Sequence, residues 1–303
     1  MRNHIIMGKP RPGLTRRHFL GCSAALAALH AQWSLSAAED KPPADTYETQ
    51  AKGIRILPGH WRPHYPWEHI AWVSPSWPSQ DYIWLDFPEA IFTSQGLVFL
   101  SHINPGIDTV FHNLPPVAWQ TTKDGIAFER TLPNGIVFGG SVRQGSPTTV
   151  DLTLTIKNGS TEPLNDITLQ TCAFLRAIRE FGDYTRENKY IHLRDRGWVQ
   201  MSNAYQLPEN DAPYRLGWRT KGKRLSDLPV AITLSNKAER LFAFTWRENT
   251  LSMVDNFNHP CVHADPFFPD LEPGASATVN GNLIFFEGKL TDFDPAIYLT
   301  GLA

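Results

Sequence analysis

The alternation of apolar and polar side chains over Thr149–Lys157 constrains the fold of this chain more than any other feature. Valine, leucine and isoleucine occupy every second position, and Asp, Thr and Lys stand between them. A repeat of two residues is typical of a β-strand with one buried and one solvated face. Asn158-Gly159 then supplies a turn, because both residue types tolerate positive φ. Ile167–Phe174 is predicted to be the return strand.

The same succession of strands and turns continues on both sides of this pair. Pro133-Asn134-Gly135 separates two apolar runs and predicts a hairpin, and Glu272-Pro273-Gly274 marks another turn. A short helix is predicted near Pro295–Leu299. Many strands with few helices predict an all-β fold, a large antiparallel two-sheet β-sandwich. The further predicted strands are Leu97–Leu100, Gly125–Leu132, Ile136–Val142, Val230–Ser235, Leu241–Trp246 and Ala277–Phe286.

Residues 125–173 resemble the two-sheet supersandwich of galactose mutarotase-like domains and several polysaccharide lyases. The resemblance lies in a strand that ends in Asn-Gly-Ser-x-x-Pro-Leu, here Asn158 to Leu164, before a strand with a polar end. C-terminal segments that look similar to the same class are Cys261–Pro266, Asp270–Gly274 and Phe285–Gly288. The resemblance implies a mutarotase-like β-supersandwich that binds or processes carbohydrate.

The N-terminus resembles a twin-arginine export signal. Thr15–Gly21 contains Arg16-Arg17 before a bulky apolar pair, and an alanine-rich apolar run and small residues at Ser36–Ala38 follow. The alternative is a short amphipathic helix at an ordinary N-terminus. The signal predicts passage through the twin-arginine translocase to the periplasm or the extracellular space. The predicted organisation is a signal peptide at 1–38, a polar linker at 39–53 and a single β-sandwich domain at 54–303.

The net charge disfavours some classes of binding partner, and the cysteines leave their own pairing open. The formal net charge is −2, and removal of the five basic residues within 1–38, with no acidic ones, lowers it to −7. An acidic chain is poorly suited to binding nucleic acid by bulk charge. No apolar run after residue 38 is long enough to be an integral membrane span. Cys172 and Cys261 remain, and the sequence leaves open whether they pair or stay as buried thiols.

An aromatic, proline-rich block over residues 61–92 provides candidate sugar-binding rings. Flat indole faces pack against the C–H faces of sugars, and their N–H groups can bond hydroxyls. Trp77, in a loop flanked by prolines, is the first candidate for an exposed ring, and Trp67 is the second. The alternative is that these rings fill the core of the sandwich.

The first group of chemical side chains is a candidate metal site. His259, His263 and Asp265 could offer imidazole and carboxylate donors to a divalent metal, the only cofactor that the sequence suggests. Pro260 and Pro266 disfavour a helix, so the His-x-x-x-His spacing is only a weak indication of a metal site. A structural loop, or a role for His263 in binding substrate hydroxyls, stays open.

The second group is a basic cluster over residues 176–196. Arg179 and Arg194 could bind the carboxylate of a sugar acid with bidentate guanidinium forks. Tyr190 or His192 could remove a proton in a β-elimination, with arginine stabilising the enolate. The alternative is a solvated loop laced with weak ion pairs.

The third candidate is His102, which follows the predicted strand Leu97–Leu100. An epimerase or hydrolase would need such an acid opposite a carboxylate base, and Glu287 is the candidate base by its position at a strand end. A turn-stabilising role for His102 remains the alternative.

These observations favour an exported carbohydrate-active protein that binds a glycan or sugar acid. Elimination, epimerisation and hydrolysis remain unranked as reactions. No G-x-S-x-G elbow, Walker loop or dinucleotide fingerprint is present, which disfavours ordinary serine hydrolases and nucleotide enzymes. A non-catalytic glycan-binding or envelope-scaffolding sandwich is one alternative. A metal-dependent enzyme that uses His259, His263 and Asp265 is the other.

Overall fold

Two large β-sheets dominate the computed structural model, which describes residues 52–60, 67–102, 106–182, 186–256 and 260–299. The predicted signal peptide lies outside these residues. Sheet A runs in the order β1 (Ile56–Gly59), β2 (Ile70–Val73), β3 (Ile83–Thr93), β9 (Thr168–Phe174), β17 (Cys261–Pro266), β16 (Thr250–Asp255), β12 (Tyr214–Leu216) and β13 (Lys223–Ser226), with β4 (Gly96–Leu100) beside β3.

Sheet B contains most of the strands that the alternation pattern predicts. Its order is β11 (Gly197–Gln200), β10 (Lys189–Leu193), β14 (Val230–Leu234), β15 (Arg240–Thr245), β18 (Ser276–Glu287), β8 (Thr149–Lys157), β7 (Val137–Ser146), β6 (Gly125–Thr131) and β5 (Gln120–Thr121). Among the described residues every strand pair is antiparallel except β12 with β16. The predicted all-β, two-sheet β-sandwich is confirmed.

The core lies between the two sheets and follows the predicted alternation. On β8, Val150, Leu152, Leu154 and Ile156 are buried in one large apolar cluster that also takes in side chains of sheet A. The intervening residues of β8 are half-buried on the opposite face. Burial of one face of each sheet against the other is what stabilises a sandwich.

Helices are few and short. The described residues contain one short α-helix, α1 (Met201–Ala204), and 3₁₀ turns at Arg219–Lys221, Arg247–Asn249, Leu290–Asp292 and Pro295–Ile297. The last of these confirms the predicted helical segment near Pro295, where proline occupies the first turn and lacks the N–H that would otherwise be unsatisfied. Within the described part of the chain, no helix has the length and apolar character needed to cross a bilayer.

Candidate active site

A break in the pairing of β3 presents the carboxylate of Glu89 on the outer face of sheet A. The register between β3 and β9 shifts between Asp86 and Ala90, and Pro88 within this interval has no N–H to donate to the ladder. Such a bulge redirects side chains relative to a regular strand. Glu89 therefore lies half-buried next to Asp86, which is buried and pairs with Ile70 and Cys172 in the sheet.

The hairpin of β3 and β4 brings His102 to this carboxylate. Ala90 pairs with Leu100, and the Ser101 N–H donates to the carbonyl of Glu89 at 2.8 Å. The Ser101 hydroxyl donates to Oδ2 of Asp86 at 2.7 Å. His102, the next residue, places Nδ1 3.8 Å from Oε1 of Glu89. One short hairpin thus assembles two carboxylates and an imidazole.

His263, on β17, approaches the other oxygen of Glu89. Its Nε2 lies 3.8 Å from Oε2 of Glu89, and its Nδ1 lies 3.3 Å from Oδ1 of Asp265. Burial disfavours a charged imidazole, but the neighbouring Asp265 and Cys261 outweigh burial and raise the pKa of His263 well above 6.5. Burial also raises the pKa of Asp265, although His263 opposes that shift. Glu89 is therefore flanked by two histidines, one at each oxygen.

Two cysteines lie next to His263 on the same face. In the register of sheet A, His263 pairs with Cys172 of β9, and Cys261 pairs with Phe174. Their alternate neighbours Ala173 and Val262 point into the core instead. Both thiols are buried and are not joined by a disulfide. A hydrogen bond with Cys261, together with burial, raises the pKa of Cys172 well above 9.0.

A cleft of about 560 Å³ opens over Glu89 and His102. Its volume falls within the range usual for small-molecule sites. The guanidinium of Arg219 lies 3.7 Å from the centre of the Phe92 ring, and Trp218 packs edge-on against His263 with the ring centres 4.9 Å apart. Trp218 remains 38% exposed. The other residues lining the cleft are Leu100, Ile107, Gln170, Thr220, Lys221 and Asn256.

Trp67 lies at a second groove next to this cleft. Its indole N–H donates to the carbonyl of Leu100 at 3.1 Å, and the ring lines a groove of about 240 Å³ that shares His102 and Ile107 with the first. Trp67, the second predicted ring, therefore lies beside the cleft, half-buried and held by a backbone hydrogen bond.

The expectation for Trp77 has to be corrected. Trp77 is 1% exposed, its indole N–H donates to Glu180 at 2.6 Å, and its ring packs against Phe181 and Phe285. A ring enclosed in this way has no face for a sugar. The proline-flanked loop tucks the large apolar side chain into the core because that burial is favourable.

The predicted pair of His102 and Glu287 is also not formed. Glu287 is exposed at the end of β18 in sheet B and forms an ion pair with Arg240 at 3.4 Å. His102 follows β4 in sheet A, where its carboxylate neighbour is Glu89. The position of Glu287 at a strand end was not sufficient to make it the partner of His102, because β18 and β4 belong to different sheets.

The residues predicted for elimination are not among those that line the cleft. Nδ1 of His192 lies 2.8 Å from Oδ1 of Asp227, and Tyr190, on the same strand, packs on an apolar cluster. Arg194 is exposed at a separate pocket. Arg179 is 86% exposed at its side chain and pairs with Asp81. The structure does not bring these four side chains to a common site.

The predicted metal ligands are placed in part. His263 and Asp265 are adjacent through the 3.3 Å contact, whereas His259 lies outside the described residues. The sequence reasoning did not connect Cys172 and Cys261 with His263, and it missed Glu89, Trp218 and Arg219 altogether. Glu89 could have been found from the sequence, because an antiparallel hairpin of β3 and β4 places it next to His102.

Comparisons with known proteins add structural neighbours of low similarity. A candidate aldose 1-epimerase from Escherichia coli K12 aligns with a TM-score of 0.43 and 10% identity, over 78% of this chain and 100% of the other. An aldose epimerase homologue from C. elegans aligns with a TM-score of 0.38 and 9% identity, over 80% of this chain and 97% of the other. No family model and no curated protein matches the sequence. At these values the likenesses carry no argument about activity, which has to come from the site.

Proposed function

We propose that the cleft binds a sugar and that Glu89 and His102 interconvert its anomers by acid–base catalysis. The observation that carries this proposal is the 3.8 Å approach of Oε1 of Glu89 to Nδ1 of His102 at the mouth of the cleft. A carboxylate and an imidazole so close together can serve two neighbouring atoms of one substrate. The anomeric hydroxyl and the ring oxygen of an aldose are such a pair, since both are bonded to the same carbon.

The reaction needs one proton acceptor and one proton donor. Glu89 takes the proton of the anomeric hydroxyl while a protonated His102 gives a proton to the ring oxygen, and the bond between that oxygen and the anomeric carbon breaks. The open aldehyde rotates, and the reverse proton transfers close the ring on its other face. His263, at the second oxygen of Glu89, helps to hold the carboxylate in place.

The surroundings of the pair suit a polyhydroxylated ligand. Gln170 and Asn256 offer amides, Thr220 offers a hydroxyl, and the half-exposed ring of Trp218 offers a flat apolar face. Arg219 and Lys221 supply positive charge, so the cleft suits a sugar acid as well as a neutral sugar.

Hydrolysis and elimination fit the site less well. Glycoside hydrolysis generally uses two carboxyl groups that flank the scissile bond. Here the second carboxylate, Asp86, is buried and bound by Ser101, on the same side as Glu89. The arginines and the Tyr190 and His192 bases predicted for elimination lie elsewhere in the structure.

The test is the rate of anomer exchange in a panel of neutral aldoses and uronic acids, followed by NMR. The wild-type chain is expected to accelerate exchange of at least one sugar beyond its spontaneous rate, and Glu89→Gln is expected to abolish this acceleration. Glu287→Gln is the matched control and should retain it. Sugar binding without acceleration in the wild type would replace the enzyme proposal with a non-catalytic carbohydrate-binding one.

We also propose that the chain works in the periplasm or outside the cell after export by the twin-arginine translocase. The support is the sequence of Thr15–Gly21 and the apolar run that follows it. Replacement of Arg16 and Arg17 by lysine should trap the protein in the cytoplasm in cell fractionation. Unchanged location would count against export by this route.

A further inference from the structure

Three potential metal ligands converge beneath the floor of the cleft. One atom each from Cys172, Cys261 and His263 can be chosen so that all three lie within 4.8 Å of one another, and all three residues are buried. Ligands of a tetrahedral zinc, at bond lengths of about 2.0–2.3 Å, lie about 3.5–3.8 Å apart. Small adjustments of the three side chains therefore suffice to enclose an ion.

The histidine is oriented as a metal ligand usually is. A metal-bound imidazole commonly donates its other N–H to a carboxylate, which fixes its tautomer and its orientation. Nδ1 of His263 has this partner in Asp265, which is itself buried and accepts the N–H of Thr171 at 3.0 Å. Nε2 lies 3.8 Å from Oε2 of Glu89 and would exchange this contact for the metal ion. Asp265 thus takes an orienting role, rather than the role of ligand that the sequence suggested.

The electrostatic surroundings favour a bound cation. Asp86 pairs with Cys172 across the sheet, and Glu89 and Asp265 lie 3.8 Å and 3.3 Å from the ring nitrogens of His263. Buried carboxylates are costly unless a cation or hydrogen bonds compensate them. A divalent ion would add to the hydrogen bonds and imidazole contacts that these carboxylates already have. Thiolate ligands select soft, thiophilic metals.

We propose that Cys172, Cys261 and His263 bind a thiophilic transition metal of the zinc class, with its fourth position directed toward Glu89 and the cleft. Three protein ligands with a fourth position open to a cavity are the arrangement of catalytic rather than structural zinc sites. The inference rests on the donor set and on the orientation of His263, and it does not require the proposed anomer exchange.

The experiment measures metal bound to the purified full chain after reduction, chelation and reloading with zinc. Elemental analysis should find about one equivalent of zinc per chain in the wild type and below about a tenth of that in Cys172→Ser, Cys261→Ser and His263→Gln, since each removes a ligand. The chain is produced in the cytoplasm with residues 1–38 retained, so that Cys22→Ser is the matched control for the cysteine variants. His192→Gln is the control for His263→Gln. Both controls should retain the metal.

Cobalt binding is a second measurement, and it can be made on the wild-type chain alone even if some variants fail to fold. Co²⁺ added to the reduced, metal-free wild type should produce a thiolate-to-metal charge-transfer band that saturates at about one equivalent. The band should be absent from Cys172→Ser/Cys261→Ser chains whose circular dichroism shows an intact fold. His102→Gln should retain the metal while losing anomer exchange, which separates failure of this inference from failure of the proposed function.

Two results would overturn the inference. One is a reduced wild-type chain that binds neither zinc nor cobalt above the level of the cysteine variants. The other is a disulfide between Cys172 and Cys261, found by peptide mapping, that forms even when zinc is present.

Discussion

Glu89 and His102 lie 3.8 Å apart because they occupy opposite arms of one β-hairpin. Thr93 pairs with Gly96 at the turn, and Ala90 pairs with Leu100 farther along, so the register sets Glu89 beside Ser101 and its neighbour His102. The same hairpin holds Asp86 through the hydroxyl of Ser101. The candidate acid and base are therefore positioned by local structure. The cleft above them is completed by Gln170 of β9, by Asn256 and by the turn at Arg219–Lys221.

Removal of either member of this pair should abolish catalysis without loss of folding. We expect Glu89→Gln and His102→Gln to lower kcat/KM for anomer exchange at least about 10²-fold, since general acid–base groups contribute at this level. The measurement is exchange kinetics on the sugar that the wild type turns over. Glu287→Gln, which lies in sheet B, should keep wild-type kinetics, and a comparable loss in that variant would contradict the assignment.

Trp77 and Trp218 should separate stability from binding. Trp77→Phe removes the partly buried hydrogen bond to Glu180 and should lower the free energy of unfolding by about 1 kcal/mol, with little change in sugar affinity. Trp218→Ala removes a half-exposed ring over His263, so we expect weaker sugar binding by about tenfold and a stability change within about 0.5 kcal/mol. Urea denaturation and ligand titration measure the two effects. Loss of sugar binding in Trp77→Phe with unchanged stability would indicate that Trp77 binds the sugar after all.

His69 should make the fold sensitive to acid. Its ring is buried, stacks on Phe128 with centroids 3.7 Å apart, and neither nitrogen has a hydrogen-bond partner among the described residues. Burial, with a smaller contribution from Arg130, lowers the pKa of His69 well below 6.5. The unfolded chain therefore binds a proton that the folded chain resists. Stability from this group is complete above pH 6.5 and is lost as the pH falls below it, toward the lowered pKa of the folded state.

The pH dependence can be assigned by substitution. Below pH 6.5 the contribution falls by about 1.4 kcal/mol per pH unit, and His69→Phe should remove that slope from the pH profile of the free energy of unfolding. His112→Phe, at an exposed position, is the matched control and should leave the profile unchanged. An unaltered slope in His69→Phe would mean that other groups carry the acid sensitivity.

Asp255 should be a strong determinant of stability. Its carboxylate has no solvent exposure, lies 2.7 Å from Arg186 and lies 3.7 Å from Nζ of Lys189, which is also fully buried. Asp255→Asn takes the negative charge away from the fully buried Lys189 and from the largely buried Arg186. We expect a loss of about 3–5 kcal/mol in urea denaturation. Asp81→Asn breaks the ion pair with the exposed Arg179 and should cause no measurable loss. Equal effects of the two substitutions would contradict this account.

The sequence determined the fold class and much of its local structure. Alternation with a period of two identified β8, and the turn residues between the strands identified the hairpin of β6 and β7, because both are properties of neighbouring residues. The residues of the β3–β4 hairpin also contain enough information to place Glu89 near His102, although Glu287 was the base that strand position suggested. Position along the chain says where a strand ends, but not which sheet it joins.

Which distant residues share the site depends on how the strands pair in three dimensions. Cys172 and His263 become neighbours because β9 pairs with β17, and Trp77 is enclosed because its loop packs over the core. A strand pattern specifies which side chains share a face, but the pairing order of strands far apart in sequence depends on burial summed over the whole sandwich. The donor set of two thiols and an imidazole therefore has no spacing motif in the sequence, and the sheet itself assembles it.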